Sequence, residues 1–398
     1  MGLASGRVTF RRYRLGGLVH DCVDDVLLEK LNRAAFGRYG SAAADGVEIG
    51  WITPQHLFDV DFGGEKIAVG RFAHLMLRVD RNSPPAAIKR SYFLMEQAAA
   101  LEASGKAFLT RSEQRQAKDA ATQRAEAEAR SGAFRRISAF PVLIDLERQA
   151  LYFGSTSNGA NDHLIRLFGD TFECPIEPVS AHSLAMRSAD EQGGKRALED
   201  ARPAHFIEPP DEVDGDVYSL DPEDRGFFGR EFLTCLWYGI ERAEGVFELL
   251  QKADVAASLA THMQLKCDFN LTGTATLRCD APARAAEARA ALAIGKQPSR
   301  LGLMLAAQAG EWTFTLDGAK FDVSGLVLPP VEGEDKSAVL ETRCTSLADL
   351  CAVLDGLFAA FMRVRLSGEW DAVARDIKRW ALAGRLGETR AAARLISA

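Results

Sequence analysis

Long apolar runs are the plainest thing this sequence lacks. The longest, at 232–240 and 303–307 with their flanks, stop well short of the ~20 residues a membrane-spanning helix needs. No membrane partner is therefore expected. No basic stretch followed by an apolar segment opens the chain, so export is not expected and a cytoplasmic location is. Cysteine is sparse: seven residues, odd in number, with no Cys-x-x-Cys pair. That argues against a disulfide scaffold and for free, mostly buried thiols in a reducing compartment. The balance of 47% hydrophobic and 26% charged residues excludes a disordered chain or a collagen-like repeat. At 398 residues the chain can bury a sizeable core and is long enough for two or three domains.

Catalytic signatures are missing as well. Gly295-Lys296 is followed by Gln297 and has no glycine five positions earlier, so it is not a phosphate-binding loop. No GxGxxG follows a strand, and the run 154–159 (Gly-Ser-Thr-Ser-Asn-Gly) reads as a loop rather than a nucleophile elbow. The seven histidines never fall at metal-ligand spacing. These absences move the weight from catalysis toward binding, and no cofactor is expected. Two acidic groups keep an alternative open. Asp21, Asp24 and Asp25 sit where a helix start favours acid for dipole reasons alone. Asp59 and Asp61 can share one side of a strand, as in a metal-dependent DNA-processing enzyme. A third reading is a protein-interaction scaffold.

What is present is charge, unevenly spread. The net charge is −7, which on its own argues against a phosphate-rich partner. Yet residues 81–140 hold eleven Lys/Arg against six Asp/Glu, and residues 1–20 hold Arg7, Arg11, Arg12 and Arg14 with no acid. The compensating acid lies elsewhere, with eleven acids against five bases in 191–230.

Hydrophobic spacing predicts strands at 7–14, 47–52, 66–71 and 73–79, with a helix over 22–36 carrying Val26, Leu27, Leu31 and Phe36 on one face. Ser83-Pro84-Pro85 reads as a capped helix start, followed by a packed stripe of Ile88, Tyr92, Met95 and Ala99 up to Gly105. Thr110 and Glu113 have capping-box spacing and open a second helix to about Arg130, whose only apolar residues are alanines. Arg115–Asp119, Arg124–Glu128 and Glu126–Arg130 are spaced for i,i+4 ion pairs. The region 84–130 thus reads as a helical hairpin standing out from the body. Strands at 139–145, 149–153 and 174–180 and a helix at 161–169 follow, then a polar, acidic linker over 186–225. Beyond it come a helix at 227–240, strand-like segments to about 279, and an alanine-rich helix at 283–294. Strands at 300–307, 311–316 and 321–326 lead to a helix capped by Ser346. Leu347, Leu350, Cys351, Leu354, Leu357, Phe358 and Phe361 line one face of it, as core or as a subunit interface. A last helix runs from Trp370. The expected class is α+β with antiparallel sheets. The expected division is a central sheet region (1–82 and 133–185), a hairpin (83–132), an acidic excursion (186–225) and a C-terminal region (226–398).

The basic residues are the best chemical lead. Lys89 and Arg90 fall on the first helix of the hairpin; Lys106, Arg111, Arg115 and Lys118 at its turn and along the second; Arg135 and Arg136 just past it, beside Phe134. Facing one way, they can neutralise phosphates without reading bases. Phe134 can stack on nucleic acid or start a core strand.

Several pieces then occur in a recognisable order: Gly50-Trp51 with Pro54; Ser83-Pro84 and Ile88-Lys89; Ala133-Phe134-Arg135-Arg136-Ile137-Ser138; Ile144-Asp145; and Gly295-Lys296 with Ser299-Arg300-Leu301. Taken together, over most of the chain at low identity, they resemble the RdgC family of bacterial recombination-associated DNA-binding proteins. The resemblance implies a nucleoid-associated, non-enzymatic homodimer closed into a ring. Its positively charged hole would encircle double-stranded DNA without sequence preference and limit the recombinase's access. Each subunit would have a central sheet region, a helical tip (the hairpin) and a base, with contacts at tip and base. Phe134 matches a family phenylalanine implicated in the tip contact and DNA binding; Lys89, Lys296 and Arg300 match basic positions. The family's basic pair at the base-side gate falls near Cys279-Asp280 here and is not carried over. The chain is also longer, through 186–225 and the helices after 368.

Overall fold

The computed structural model describes residues 3, 5–18, 20–38, 46–207, 226–249, 253–267, 273–331, 333 and 335–383. The greater part of the expected acidic excursion, 208–225, lies outside these residues. Along the chain, β1 (Val8–Leu15) is followed by α1 (Asp25–Arg33), β2 (Val47–Ile52), a one-turn helix α2 (Gly64–Ile67), β3 (Ala68–Val69) and the long β4 (Phe72–Asn82). The helices α3 (Ala86–Ser104) and α4 (Arg111–Arg130) interrupt β4 and its partner β5 (Arg135–Asp145). Next come β6 (Ala150–Phe153), α5 (Asn158–Phe172), β7 (Ile176–Pro178), α6 (Ala181–Gln192) and α7 (Lys195–Asp200). The C-terminal half contains α8 (Phe227–Arg242), β8 (Val246–Glu248), β9 (Asp254–Cys267), β10 (Ala275–Arg278), α9 (Ala286–Ala293), β11 (Lys296–Ala307), β12 (Gly310–Asp317), β13 (Val323–Val327), α10 (Lys336–Arg365) and α11 (Trp370–Leu382).

The class is α+β, with one large antiparallel sheet in the order β10-β9-β11-β12-β13-β1-β6-β5-β4-β2. The short strands β3, β7 and β8 pair with β4, β1 and β9. Two hydrophobic clusters flank this sheet. One gathers α8 and α10 onto β9 and β11–β13; the other packs Leu27 and Leu31 of α1 and Leu164, Leu167 and Phe168 of α5 against Trp51, Leu75, Leu77, Val142 and Ile144.

The two halves of the sheet meet on β1. Val8 and Phe10 pair with β13, while Arg11 to Arg14 pair with β6. Successive side chains on a strand point to opposite faces, so Arg11 and Arg12 enter different layers. Arg11 donates from Nε and Nη2 to Asp322 at 2.8 and 2.7 Å. Arg12 donates from Nη1 to Asp355 on α10 at 2.8 Å and lies over the Phe321 ring. Two of the four arginines read as an N-terminal basic patch are therefore core residues, 9% and 4% exposed.

Other expectations also change. Ser346 does not cap the long helix: α10 starts ten residues earlier, with the Asp335 side chain accepting from Ser337 N–H at 2.9 Å. The Ser346 hydroxyl instead accepts from Trp312 Nε1 at 2.9 Å. The apolar stripe of that helix is buried in the core and is not a free interface. Residues 186–200 are not a linker. They belong to α6 and α7, which bury Leu184, Ala185, Ala189 and Leu198. In α1, Val26 is 55% exposed, and the buried Phe36 lies beyond the helix end. Of the strand expected at 66–71, residues 66–67 close the one-turn helix α2 and only Ala68–Val69 are extended.

Breaking a buried pair leaves a charge without a partner in a low-dielectric site, at a cost of ~3–5 kcal/mol. Asp322→Ala should therefore lower the unfolding free energy measured by urea titration by an amount of that order, and Arg11→Met combined with Asp322→Leu should recover most of the loss. A loss below ~1 kcal/mol in the single variant would show that the Arg11–Asp322 pair does not hold the sheet halves together.

Candidate nucleic-acid interface

The hairpin is built from local signals that the sequence carries openly. Gly105 ends α3 in the left-handed region at φ 63°. Thr110 and Glu113 form a reciprocal capping box: Glu113 N–H donates to Thr110 Oγ1 at 3.3 Å and Thr110 N–H to Glu113 Oε2 at 2.8 Å. Ala117, Ala121, Ala125 and Ala129 are the buried residues of α4, and α3 has none. One alanine per turn lets the two helices pack closely. Polar ties finish the contact: Tyr92 OH donates to Glu128, and Arg124 lies 4.5 Å from the Tyr92 ring centroid and 3.7 Å from Glu96. The expected Arg124–Glu128 pair within α4 does not form, because both residues are used across the hairpin instead; among the described residues Arg115–Asp119 and Glu126–Arg130 are not paired either. The stripe expected on α3 is also shifted. Ile88 and Tyr92 are half-buried, but Met95 and Ala99 are exposed. Ser83 does not cap α3; Pro85 occupies the cap position with no side-chain hydrogen bond.

Three of the expected basic residues share one face of α4. Arg111, Arg115 and Lys118 stand at i, i+4 and i+7, all exposed and, among the described residues, without a carboxylate partner. Arg90 is likewise exposed and unpaired on α3. Lys106 is not free, since its Nζ donates to Glu113 at 2.7 Å. Lys89 lines an open groove with Arg130, Glu126 and Asn82 at the root of the hairpin. A second groove shares Asn82 and Arg130 with it and adds Arg135, Asp80 and Glu48.

At that root the register of β4 and β5 sets Arg81 directly opposite Arg136. Facing residues on paired strands have Cβ atoms ~5 Å apart, and like charges there repel. Both arginines are exposed, and neither has a carboxylate partner among the described residues. Arg135 projects on the opposite face and is handled differently. It bonds Asp80 at 2.7 Å, and the same carboxylate takes Arg78 at 2.8 and 2.7 Å. Burial alone would push the Asp80 carboxyl up. The two guanidiniums outweigh it and hold the group below its ordinary value. Two arginines share this one carboxylate, and Glu48 of β2 stands directly opposite Asp80 and lines the same groove.

The remaining expected residues do not join this surface. Phe134 is half-buried in the turn that starts β5, at the root of the hairpin. The 20 residues of α4 separate it from the far end by about 30 Å. The aromatic at the far end is Phe108, 86% exposed. Lys296 is 9% exposed and spends its Nζ on the Gly273 carbonyl at 2.8 Å, so it is not a surface cation. Arg300 is paired with Asp317 at 2.9 Å. Four strands separate β11 from β5, roughly 25 Å of sheet.

Asp59 and Asp61 do not lie on a strand. They belong to the irregular segment 53–63. Asp59 accepts from Thr53 Oγ1 at 2.7 Å and from Lys66 Nζ at 2.9 Å on both oxygens. Those hydrogen bonds, Thr53's first and Lys66's next, lower its pKa to about 2. Asp61 pairs with Arg38 at 2.5 Å. Asp24 caps α1. Among the described residues no three His, Cys, Asp or Glu side chains converge on a metal-sized site. The same segment carries Phe58, 71% exposed, over one side of the Arg78 guanidinium at 5.3 Å; Phe36 lies 4.0 Å from that guanidinium. Gly50 makes room for Phe36, because a Cβ there would sit 2.4 Å from the Phe36 Cα.

Arg81, Arg130, Phe58 and Phe108 are surface residues that sequence reasoning passed over. Pairing the strands on either side of the hairpin would have found Arg81 opposite Arg136. The turn between Gly105 and Thr110 would have exposed Phe108. No family model matches the chain, and no curated protein matches it.

The Asp59 clamp has a pH signature. A carboxyl with a depressed folded pKa stabilises above its unfolded pKa of ~4, and that contribution disappears as the pH falls through the folded value. Asp59→Asn should therefore lower the thermal midpoint at pH 6, with the gap to the parent protein closing as the pH falls from ~4 toward ~2. A gap of constant size over that range would show that Asp59 does not act through its charge.

Proposed function

We propose that this protein binds double-stranded DNA through its phosphates, without sequence preference and without chemistry on the DNA. The observation that carries this reading is the Arg81–Arg136 pair. Two exposed arginines occupy directly facing positions on β4 and β5, and neither has a carboxylate partner among the described residues. Such a pair is destabilising in isolation, and a bound anion removes the repulsion. Arg111, Arg115 and Lys118 on α4, with Arg90 on α3, extend the positive surface along the hairpin. Long, exposed cationic side chains of this kind suit contacts that position a protein on the duplex backbone rather than specify sequence. A net charge of −7 is compatible with this, because local potential rather than the whole-chain sum steers a polyanion.

Following the RdgC resemblance, the proposal extends to a homodimer closed into a ring around the duplex, associated with the nucleoid and limiting recombinase access. The α3–α4 hairpin would be its tip, and the exposed Phe108 would meet the same turn of the second copy. The carboxylates offered for the alternative, a metal-dependent DNA-processing enzyme, are engaged, Asp59 with Lys66 and Asp61 with Arg38.

A mobility-shift titration of a random-sequence duplex from 50 to 200 mM salt tests the reading. Affinity should fall steeply, with log K linear in log salt. Arg136→Gln should flatten the slope by ~0.9, and Arg81→Gln with Arg136→Gln by ~1.8, while Arg300→Gln leaves it unchanged. Undetectable or salt-insensitive binding would overturn the proposal.

A further inference from the structure

The C-terminal half of the sheet buries one of its two sides. Met263, Leu301, Leu316 and Val323 stand in register from β9 to β13, and with Phe10 of β1 they enter the layer that holds α8 and α10. Residues next to them in sequence point the other way. That other side is largely open on β9 to β12: Arg278, Lys266 and Met304 are exposed, and His262, Gln264 and Thr315 are half-buried. Tyr13, an odd number of residues from Phe10, points to the same side in the N-terminal half, in register through Leu151 and Ile144 with Ala73. Counting in twos along β4 and β5 from there reaches Arg81 and Arg136. The open side of β9–β12 is thus the side of the sheet that carries the arginine pair, with β9 six strand spacings from β5, roughly 30 Å.

His262 lies within a cationic cluster on that side. The β9–β10 register sets it directly opposite Arg278, at the ~5 Å Cβ separation of facing residues. Arg300 of β11 faces Gln264, the next residue of β9 on the same side. Burial, then Arg278, then Arg300 lower the His262 pKa from its ordinary value, so the ring is neutral at pH 7. Arg278 and Lys266 have no carboxylate partner among the described residues. Asp317 of β12 is spent on Arg300 at 2.9 Å. Asp280, just past β10, pairs with neither His262 nor Arg278 among the described residues. Glu311 and Asp254 stand at the other ends of β12 and β9.

A neutral imidazole beside an unpaired guanidinium gains a second cation when an anion arrives, because the anion favours the imidazolium. DNA is the anion the placement favours: the cluster shares its side of the sheet with Arg81 and Arg136, and roughly 30 Å is the reach of about nine phosphates along one strand. We infer that His262 and Arg278 form a phosphate-binding site whose hold on DNA tightens as the pH falls. The inference rests on the DNA-binding reading and adds a second contact and a pH response to it. The sign follows from linkage. The free protein has the lower His262 pKa and the complex the higher, so affinity rises as the pH drops through the higher value and levels off below the lower one. Arginines keep their charge throughout this range, so the response belongs to His262 rather than to the arginine pair.

The test uses the full chain and a random-sequence duplex of about 30 base pairs, with affinities measured at pH ~8 and pH ~5.5, on either side of the ordinary histidine range. The tightening between the two should be ~tenfold smaller in His262→Gln than in the parent, the increment one charge-assisted contact supplies. At the lower pH the salt slope of that variant should be flatter by ~0.9. Histidine ring resonances, assigned by the one missing from His262→Gln, give a second readout. The His262 pKa should rise when duplex is added, and Arg278→Gln should raise it in the free protein. Equal tightening in the parent and His262→Gln, or a His262 pKa that duplex leaves unmoved, overturns the inference while leaving duplex binding in place. A rise with polyglutamate but not with duplex assigns the site to an acidic protein partner and overturns it as well. No binding of duplex at either pH removes the DNA-binding reading and this inference together.

Discussion

The architecture depends on a single strand whose two buried arginines are each answered from the C-terminal half of the chain. β1 is the only described strand that pairs with both β13 and β6. Main-chain pairing alone would leave a weak seam there, because Val8 and Phe10 are the only β1 residues in register with β13 and the register shifts between them. Arg11 and Arg12 fasten that seam from both faces, to Asp322 beside β13 and to Asp355 on α10. Buried ion pairs add little net stability over an apolar pair, but they penalise any arrangement that separates the partners. Their effect here is registry. The N-terminal strand can take only the one place in the sheet that supplies both carboxylates.

The same chemistry is used in opposite ways a short distance along the sheet. Arg78 and Arg135 share Asp80, with Glu48 opposite it, so the arginines under the hairpin are ion-paired on one face. On the other face Arg81 and Arg136 occupy facing positions, exposed and without a carboxylate partner among the described residues. Alternation along two paired strands thus separates structural arginines from those left for solvent or a ligand, within a few residues of each other. Composition cannot make that distinction, which is why a net negative chain can still present a positive edge.

How much of this was legible beforehand follows from the range of each interaction. The hairpin helices, the Gly105 stop and the Thr110–Glu113 cap were readable, because each rests on residues no more than four apart. The antiparallel class followed from alternation and short connections. The start of α10 was not readable, because its first ten residues are mostly polar and the apolar stripe begins only at Leu347. Met95 and Ala99 were placed on the packed face by a spacing that suits two neighbouring helix phases equally; only the alanines of α4 decide between them. Lys296 and Arg300 looked like equivalents of surface cations, but burial under a carbonyl and pairing with Asp317 are long-range facts. Arg81 went unnoticed because its relation to Arg136 exists only once β4 and β5 are paired across the hairpin.

The alanine seam between α3 and α4 has a thermodynamic corollary. Methyl groups are almost all the apolar surface that α4 hides, and α3 hides no residue completely. The hairpin therefore carries little cohesive energy of its own compared with the layers that hold Trp51, Trp237 and Trp312. In a protein whose parts open with different free energies, the segment with the thinnest apolar seam opens first. The spacing between Arg90 on one helix and Arg111, Arg115 and Lys118 on the other can then dissolve on warming while the sheet stays whole, so the temperature at which these cations lose their arrangement is set apart from the temperature at which the molecule melts.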